Sequence, residues 1–314
     1  MAILSYNLNY ISSELAECRV CPRNCGVNRI AGELGYCKTN ANFNISSICV
    51  HKGEEPAIGG EIGVCNIFFS HCNLQCIYCQ NHQISCNNFE SKNEITLEFA
   101  LNKILEILKT GINVVGFVSP SHMSPQVKEI ISAIRNSGYN PKFVWNSNGY
   151  DKQETLRSLE SFIDIYLPDF KYIEENDAMQ FSDAKNYPEV ALKAIKEMYY
   201  QKGSKLNIDE SGIAESGLII RHLVLPGKSV ESIKLLETIA EEISTRVTIS
   251  LMSQYYPTEN VKNHKFLNKQ VSKEEYDVVI ETMYRLGFTN GWIQELGSHE
   301  NYRPDFENNH PFES

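Results

Sequence analysis

The sequence predicts an α/β protein built around a parallel sheet. Short β-rich runs alternate with amphipathic stretches about six times between residues 63 and 286, each connection being long enough for a crossover. The cysteines add a second observation: all ten lie in the first 86 of 314 residues, and none follows. Periodicity leaves an open doubly wound sheet and a full or partial barrel both available. Either one places chemistry at the C-terminal ends of its strands.

The elements follow in order. Residues 1–60 read as a cysteine-rich, loop-dominated segment with turn signals at Pro22, Gly26, Gly32, Gly35 and Gly53. GVCNIFFS (63–70) is rich in β-formers. The stretch 94–111 has apolar residues at helical spacing and ends on Gly111, a C-terminal stop signal. NVVGFV (113–118) is a continuous apolar run, the mark of a strand buried on both faces. Helix 124–138, strand 142–149, helix 152–161 and strand 162–170 come next. Helix 189–202, strand 217–227, helix 230–243, strand 246–254 and helix 272–286 complete the alternation, with 203–216 and 255–271 read as loops.

Composition narrows the function. Lys plus Arg total 29 and Asp plus Glu total 39, a net charge of −10, which disfavours a nucleic-acid partner. No run approaches the roughly 18 apolar residues of a membrane span. The start, MAILSYNLNYISSELAEC, lacks basic residues and is interrupted by Glu14 and Glu17, so a cytoplasmic location is expected. In that compartment clustered cysteines bind metal more often than they form disulfides.

Directly after the first barrel-type strand, SHCNLQCIYCQNHQIS spaces Cys72, Cys76 and Cys79 as C-x₃-C-x₂-C. Three thiolates on one short loop suit three irons of a cubane and leave the fourth open. The competing reading is a structural zinc site completed by Cys65 or Cys86, although zinc sites usually combine two paired-ligand units. Upstream, Cys18, Cys21, Cys25 and Cys37 are spaced C-x₂-C-x₃-C-x₁₁-C, which suits zinc or a second iron–sulfur cluster. The bland alternative is four free buried thiols. Cys49, Cys65 and Cys86 read as small buried hydrophobes.

From about Val64 to Val271 the chain resembles the radical SAM superfamily, and within it the branch of the pyruvate formate-lyase activating enzyme. The resemblance rests on the cysteine triplet at a strand end, with Tyr78 just before the third cysteine. It implies a partial (β/α)6 TIM-like barrel (61–290) behind the N-terminal cysteine-rich segment, with 291–314 as an extension. It also implies a [4Fe–4S] cluster whose open iron is chelated by S-adenosylmethionine (SAM). Reductive cleavage of SAM would then give a 5′-deoxyadenosyl radical for hydrogen abstraction.

Other segments resemble the branch residue by residue. IDIYLPDFKY carries Asp169 and Lys171 as SAM-contacting or substrate-positioning residues, where the bland reading is a surface ion pair. IIRHLVLPG carries Arg221 as a partner for the SAM carboxylate, a role suited to a planar guanidinium fork. WNSNG places Asn146 and Asn148 at the cavity mouth.

Two departures stand out. Where the superfamily has Gly-Gly-Glu, this chain has Ser119-Pro120-Ser121-His122, so a hydroxyl such as that of Ser119, a backbone carbonyl of this turn or a neutral His122 is expected to meet the SAM amino group. Where the activating enzymes have a histidine after strand six, it has Ser253-Gln254-Tyr255. The four-cysteine start and the tail GWIQELGSHENYRPDF (291–306) resemble one subgroup of activating-enzyme-like proteins.

The expected function is a radical SAM enzyme that activates another macromolecule, for instance by installing a glycyl radical. A low-potential electron donor of flavodoxin or ferredoxin type and a protein substrate are the implied partners. The alternatives are a radical SAM enzyme acting on a small molecule or peptide, and a non-catalytic zinc or iron–sulfur interaction module.

Overall fold

The computed structural model describes residues 9–88, 94–298, 304–308 and 310–312. Among the described residues ten strands form one open sheet: β1 (Phe43–His51), β2 (Val64–Phe69), β3 (Glu94–Ile95), β4 (Val114–Val118), β5 (Lys142–Asn146), β6 (Ile165–Tyr166), β7 (Asn207–Ile208), β8 (Ala214–Leu223), β9 (Thr248–Met252) and β10 (Gly291–Ile293). The order is β10-β9-β8-β6-β5-β4-β2-β1-β3, with β7 attached to β8. From β2 through β10 along this path every pairing is parallel, whereas β1, β3 and β7 pair antiparallel. This is the expected α/β architecture, a partial barrel that does not close.

The helices are α1 (Asn9–Leu15), α2 (Pro56–Gly59), α3 (His82–Ser85), α4 (Leu97–Leu108), α5 (Ser124–Asn136), α6 (Gln153–Leu159), α7 (Glu175–Ser182), α8 (Tyr187–Lys202), α9 (Ser229–Glu242) and α10 (Lys273–Arg285). Their starts have local causes. The Thr96 side chain accepts from the Phe99 amide at the head of α4, and Ser272 and Glu275 form a reciprocal capping box on α10. None of the helices among the described residues is long and apolar enough to cross a membrane.

The structure differs from the sequence expectation in several places. The segment read as loop before residue 60 carries α1, α2 and the nine-residue strand β1, which covers the edge of β2. The short helix α3 was not expected, and β3 takes the start of the stretch read as a helix from 94. Residues 162–170 supply only a two-residue strand, followed by a bridge between Asp169 and Arg221. The short helix α7 and the strand β7 fall where no element was expected. A seventh parallel strand, β10, lies in the expected C-terminal extension. Of the Arg-Pro-Asp-Phe tail, Arg303 lies outside the described residues.

Alternation along the strands sorts the two faces of the barrel wall. Outward positions such as Cys65, Ile67, Val115, Phe117, Phe143, Trp145 and Ile220 pack under the helices in the main core. Inward positions change character along each strand. At the N-terminal ends Val64, Val114, Val144, Ile165 and Ile219 close an apolar plug around Ala57 and Ile58 of α2. Two residues further on, the inward side chains include Asn66, Asn146 and Arg221, which form a polar floor. Gly116 leaves room for that floor, because a Cβ there would meet Asn66 Oδ1 at 2.1 Å.

Candidate functional site

Above the floor opens a cavity of about 210 Å³. Its lining brings together Cys72, Cys76, Cys79, Tyr78, Ser119, Asn146, Asn148, Asp169, Lys171 and Arg221. The loop after β2 begins on His71 at φ 63°, and the turn after β4 on Ser119 at φ 52°. Both are non-glycine residues in the left-handed region, the kind of strain that concentrates at functional sites.

Three thiols, each with hydroxyl or amide donors, face this cavity. The Leu74 amide and Asn148 Nδ2 each donate to Cys72 Sγ at 3.4 Å. Ser182 Oγ donates to Cys76 Sγ at 2.9 Å, and Ser85 Oγ to Cys79 Sγ at 3.2 Å. Burial and the Cys76 thiol push Cys72 up to about 12, and burial pushes Cys76 up to about 11 against the pull of Lys171. The free thiols therefore hold their protons at neutral pH, and metal binding must expel them. Donors aimed at sulfur are what ligating thiolates require, so the donor set fits a three-cysteine cluster. Among the described residues no other cysteine lines the cavity, and no three Cys, His, Asp or Glu side chains are gathered on a single-ion position. Cys49 and Cys65 are buried outside the lining, and Cys86 is half-buried.

The charged groups close on one another. Arg221 Nε donates to Asp169 Oδ1 at 2.8 Å, its Nη2 to Asn146 Oδ1 at 2.7 Å, and its Nη1 lies 3.7 Å from Glu54 Oε2. Lys171 Nζ lies 2.6 Å from Asp169 Oδ2. Burial works against the Asp169 carboxylate, but Arg221 and Lys171 outweigh it and hold its pKa below the usual range. Beneath Arg221, burial and the neighbouring Glu54 charge push Glu55 upward. Gly149 is needed at the end of WNSNG. Its φ is +76°, and a Cβ would meet the Asp169 carbonyl oxygen at 2.3 Å.

An aromatic wall completes the site. Tyr78 and Tyr255 pack with ring centroids 5.8 Å apart and their planes tilted by 59°. A hydroxyl chain runs from Tyr78 to Tyr172 and on to Ser182, each step 2.6 Å, and ends on Cys76. The segment after β9 is clamped by Gln294, whose Oε1 accepts from the Ser253 and Gln254 amides at 3.0 Å each.

His122 is the exception among the expected residues. Ser119 turns the chain and a 3₁₀ turn (Pro120–His122) follows, so the imidazole leaves the cavity and lies 3.1 Å from the Ser70 carbonyl. It is fully buried and faces the pocket lined by Cys18, Cys21, Cys25 and Cys37. The expectation that His122 meets the SAM amino group is corrected on that ground. Sequence reasoning missed Glu54, His51, Met252 and the tail residues Pro304 and Phe312, all of which line the cavity. The carboxylate pair before Pro56 was the available signal for Glu54.

Comparison with known proteins places the chain in a family. A family model described as the radical SAM superfamily matches residues 66–239. An uncharacterised protein of Methanocaldococcus jannaschii is 26% identical over 287 residues, covering 89% of this chain and 78% of that protein. Among solved structures, Streptococcus suis SuiB bound to S-adenosylmethionine is similar with a TM-score of 0.49 and 11% identity, covering 74% of this chain and 50% of that one. This chain thus spans half the length of SuiB. A domain of pyruvate-formate lyase-activating enzyme from Bacteroides vulgatus is similar with a TM-score of 0.39 and 16% identity, covering 55% of this chain and 93% of that one. Because the family model spans more than half of its 314 residues, this chain belongs to the radical SAM superfamily and is an enzyme of that class.

Proposed function

We propose that Cys72, Cys76 and Cys79 hold the [4Fe–4S] cluster that the family implies, and that SAM occupies the cavity beside them. The observation that carries this reading is a cavity lined by three thiols, each with its own donor, and by a closed set of paired charges. When bound, the cluster and SAM supply a 5′-deoxyadenosyl radical for hydrogen abstraction. The chain's own residues bind, orient and exclude water. Asn148, Ser182 and Ser85 fix the sulfur positions through their donors. Tyr78 and Tyr255 offer ring faces for a purine. Ser119, at the strand-two turn, offers the hydroxyl for the SAM amino group. Arg221 and Lys171, both paired with Asp169, offer positive charge to the SAM carboxylate.

As substrate we propose a macromolecule carrying a glycine to be activated, on the strength of the Asp169-x-Lys171 and Arg221 strand ends, with a flavodoxin- or ferredoxin-type donor. The second reading, a small molecule or peptide, is favoured by the tail: Pro304 and Phe312 at the cavity wall narrow the approach of a folded partner. Anaerobic reconstitution, reduction and measurement of 5′-deoxyadenosine test the cleavage, and no 5′-deoxyadenosine from the loaded protein would overturn it. A glycyl doublet in the EPR spectrum of an added candidate partner supports activation. Product formation that needs only a small molecule rejects it.

A further inference from the structure

The N-terminal cysteines surround a pocket of their own, and its most unusual member is not a cysteine. Arg29 is 1% exposed, and among the described residues no carboxylate lies within ion-pair distance of it. Its guanidinium donates to the Asn40 carbonyl at 2.8 and 3.1 Å, to the His122 carbonyl at 2.8 Å and to Met123 Sδ at 3.3 Å, all neutral acceptors. The remaining contact is Nη1 to Cys18 Sγ at 3.8 Å. A buried cation with only neutral partners is expensive, and proteins keep one where an anion sits beside it.

We propose that Cys18, Cys21, Cys25 and Cys37 bind a second metal as a tetrathiolate centre, and that Arg29 is its built-in counter-charge. The charge count is the same for either occupant. A divalent zinc with four thiolates carries −2, and so does a [4Fe–4S]²⁺ core with four thiolates. Each cysteine gives up its S–H proton to solvent on ligating, and the centre supplies the anion that Arg29 lacks. The pocket already carries donors for sulfur. The Tyr36 amide donates to Cys25 Sγ at 3.4 Å, and Thr39 Oγ1 lies 3.0 Å from Cys37 Sγ. The thiols are not yet gathered on one point, so metal binding would also draw this loop together.

The site is independent of the SAM cavity, and the test separates them. In the full chain with Cys72, Cys76 and Cys79 all replaced by Ala, elemental and sulfide analysis should find about one zinc, or about four irons with matching sulfide. Either result supports the site and identifies its occupant. Should that variant fail to fold, the reconstituted wild type should carry this metal in excess of one cluster. A wild type with only about four irons and no zinc overturns the proposal. Arg29→Gln should lower retention of the second metal against a chelator by about 10- to 100-fold, with Arg29→Lys recovering most of it. Unchanged retention in Arg29→Gln would show that the guanidinium is packing rather than counter-charge.

Discussion

The two cysteine groups solve the same electrostatic problem in opposite ways. In the barrel cavity both cations have a carboxylate at hand: Asp169 serves Arg221 at 2.8 Å and Lys171 at 2.6 Å. In the N-terminal pocket Arg29 has none among the described residues. Charge counting explains why both arrangements are sensible. SAM chelating through a neutral amine is net neutral, its sulfonium and carboxylate cancelling, and a [4Fe–4S]²⁺ core with three thiolates leaves −1, so the cavity has less charge to offset. A four-thiolate centre leaves −2, and its pocket must bring positive charge.

The sharpest way to break this comparison is to remove one barrel thiol. Cys76→Ala should abolish 5′-deoxyadenosine formation outright, because the cluster loses a ligand that also anchors the Ser182 donor. Metal at the N-terminal group should stay within error of the wild type, since that site shares no ligand with the cavity. Parallel loss of both metals in the folded variant would show one cooperative site instead of two.

The next largest effect concerns the cavity's self-balancing. Asp169→Asn keeps the shape but removes the anion shared by Arg221 and Lys171, leaving Glu54 at 3.7 Å as the remaining carboxylate partner of Arg221. Stripping one partner from a buried ion pair typically costs about 3–5 kcal/mol. Urea unfolding of the metal-free protein should show a loss of that order. A change below about 1 kcal/mol would mean that solvent already screens these charges.

Much of this was legible in the sequence, and what was missed has a physical reason. The parallel strands were readable because β2 and β4 are buried on both faces: β4 is a continuous apolar run, and β2 is one broken only at Asn66. The cysteine triplet that lines the cavity was readable because its three thiols lie close together in the chain. Strand β1 was hidden because FNISSICVH mixes buried and half-buried positions at the sheet's antiparallel margin, where no clean period survives. Glu54 reached the cavity through the plug helix that follows it, a long-range placement invisible to local pattern. His122 was misplaced because strand-end position says nothing about the positive φ at Ser119 that turns its ring away.

The smallest effect probes the seam between the two regions, and it needs only a pH series. His122 spans that seam: its ring lies on the carbonyl of Ser70, two residues before Cys72, and its own carbonyl accepts from Arg29 beside Cys18. Burial first, and the Arg29 charge second, lower its pKa to about 3. In the unfolded chain the same imidazole titrates near about 6.5. Between those values the unfolded state binds a proton that the folded state refuses, so stability rises with pH across the window and is fully present above about 6.5. Lowering the pH from 7 to 5 should therefore remove about 2 kcal/mol through this residue alone. His51 and His222, each lowered to about 4 by burial, add to the same slope. In His122→Asn the difference in Tm between pH 7 and pH 5 should shrink, whatever the variant's stability at pH 7. An unchanged difference would mean that His122 is free to take its proton in the folded state, and that the seam opens in acid before the protein unfolds.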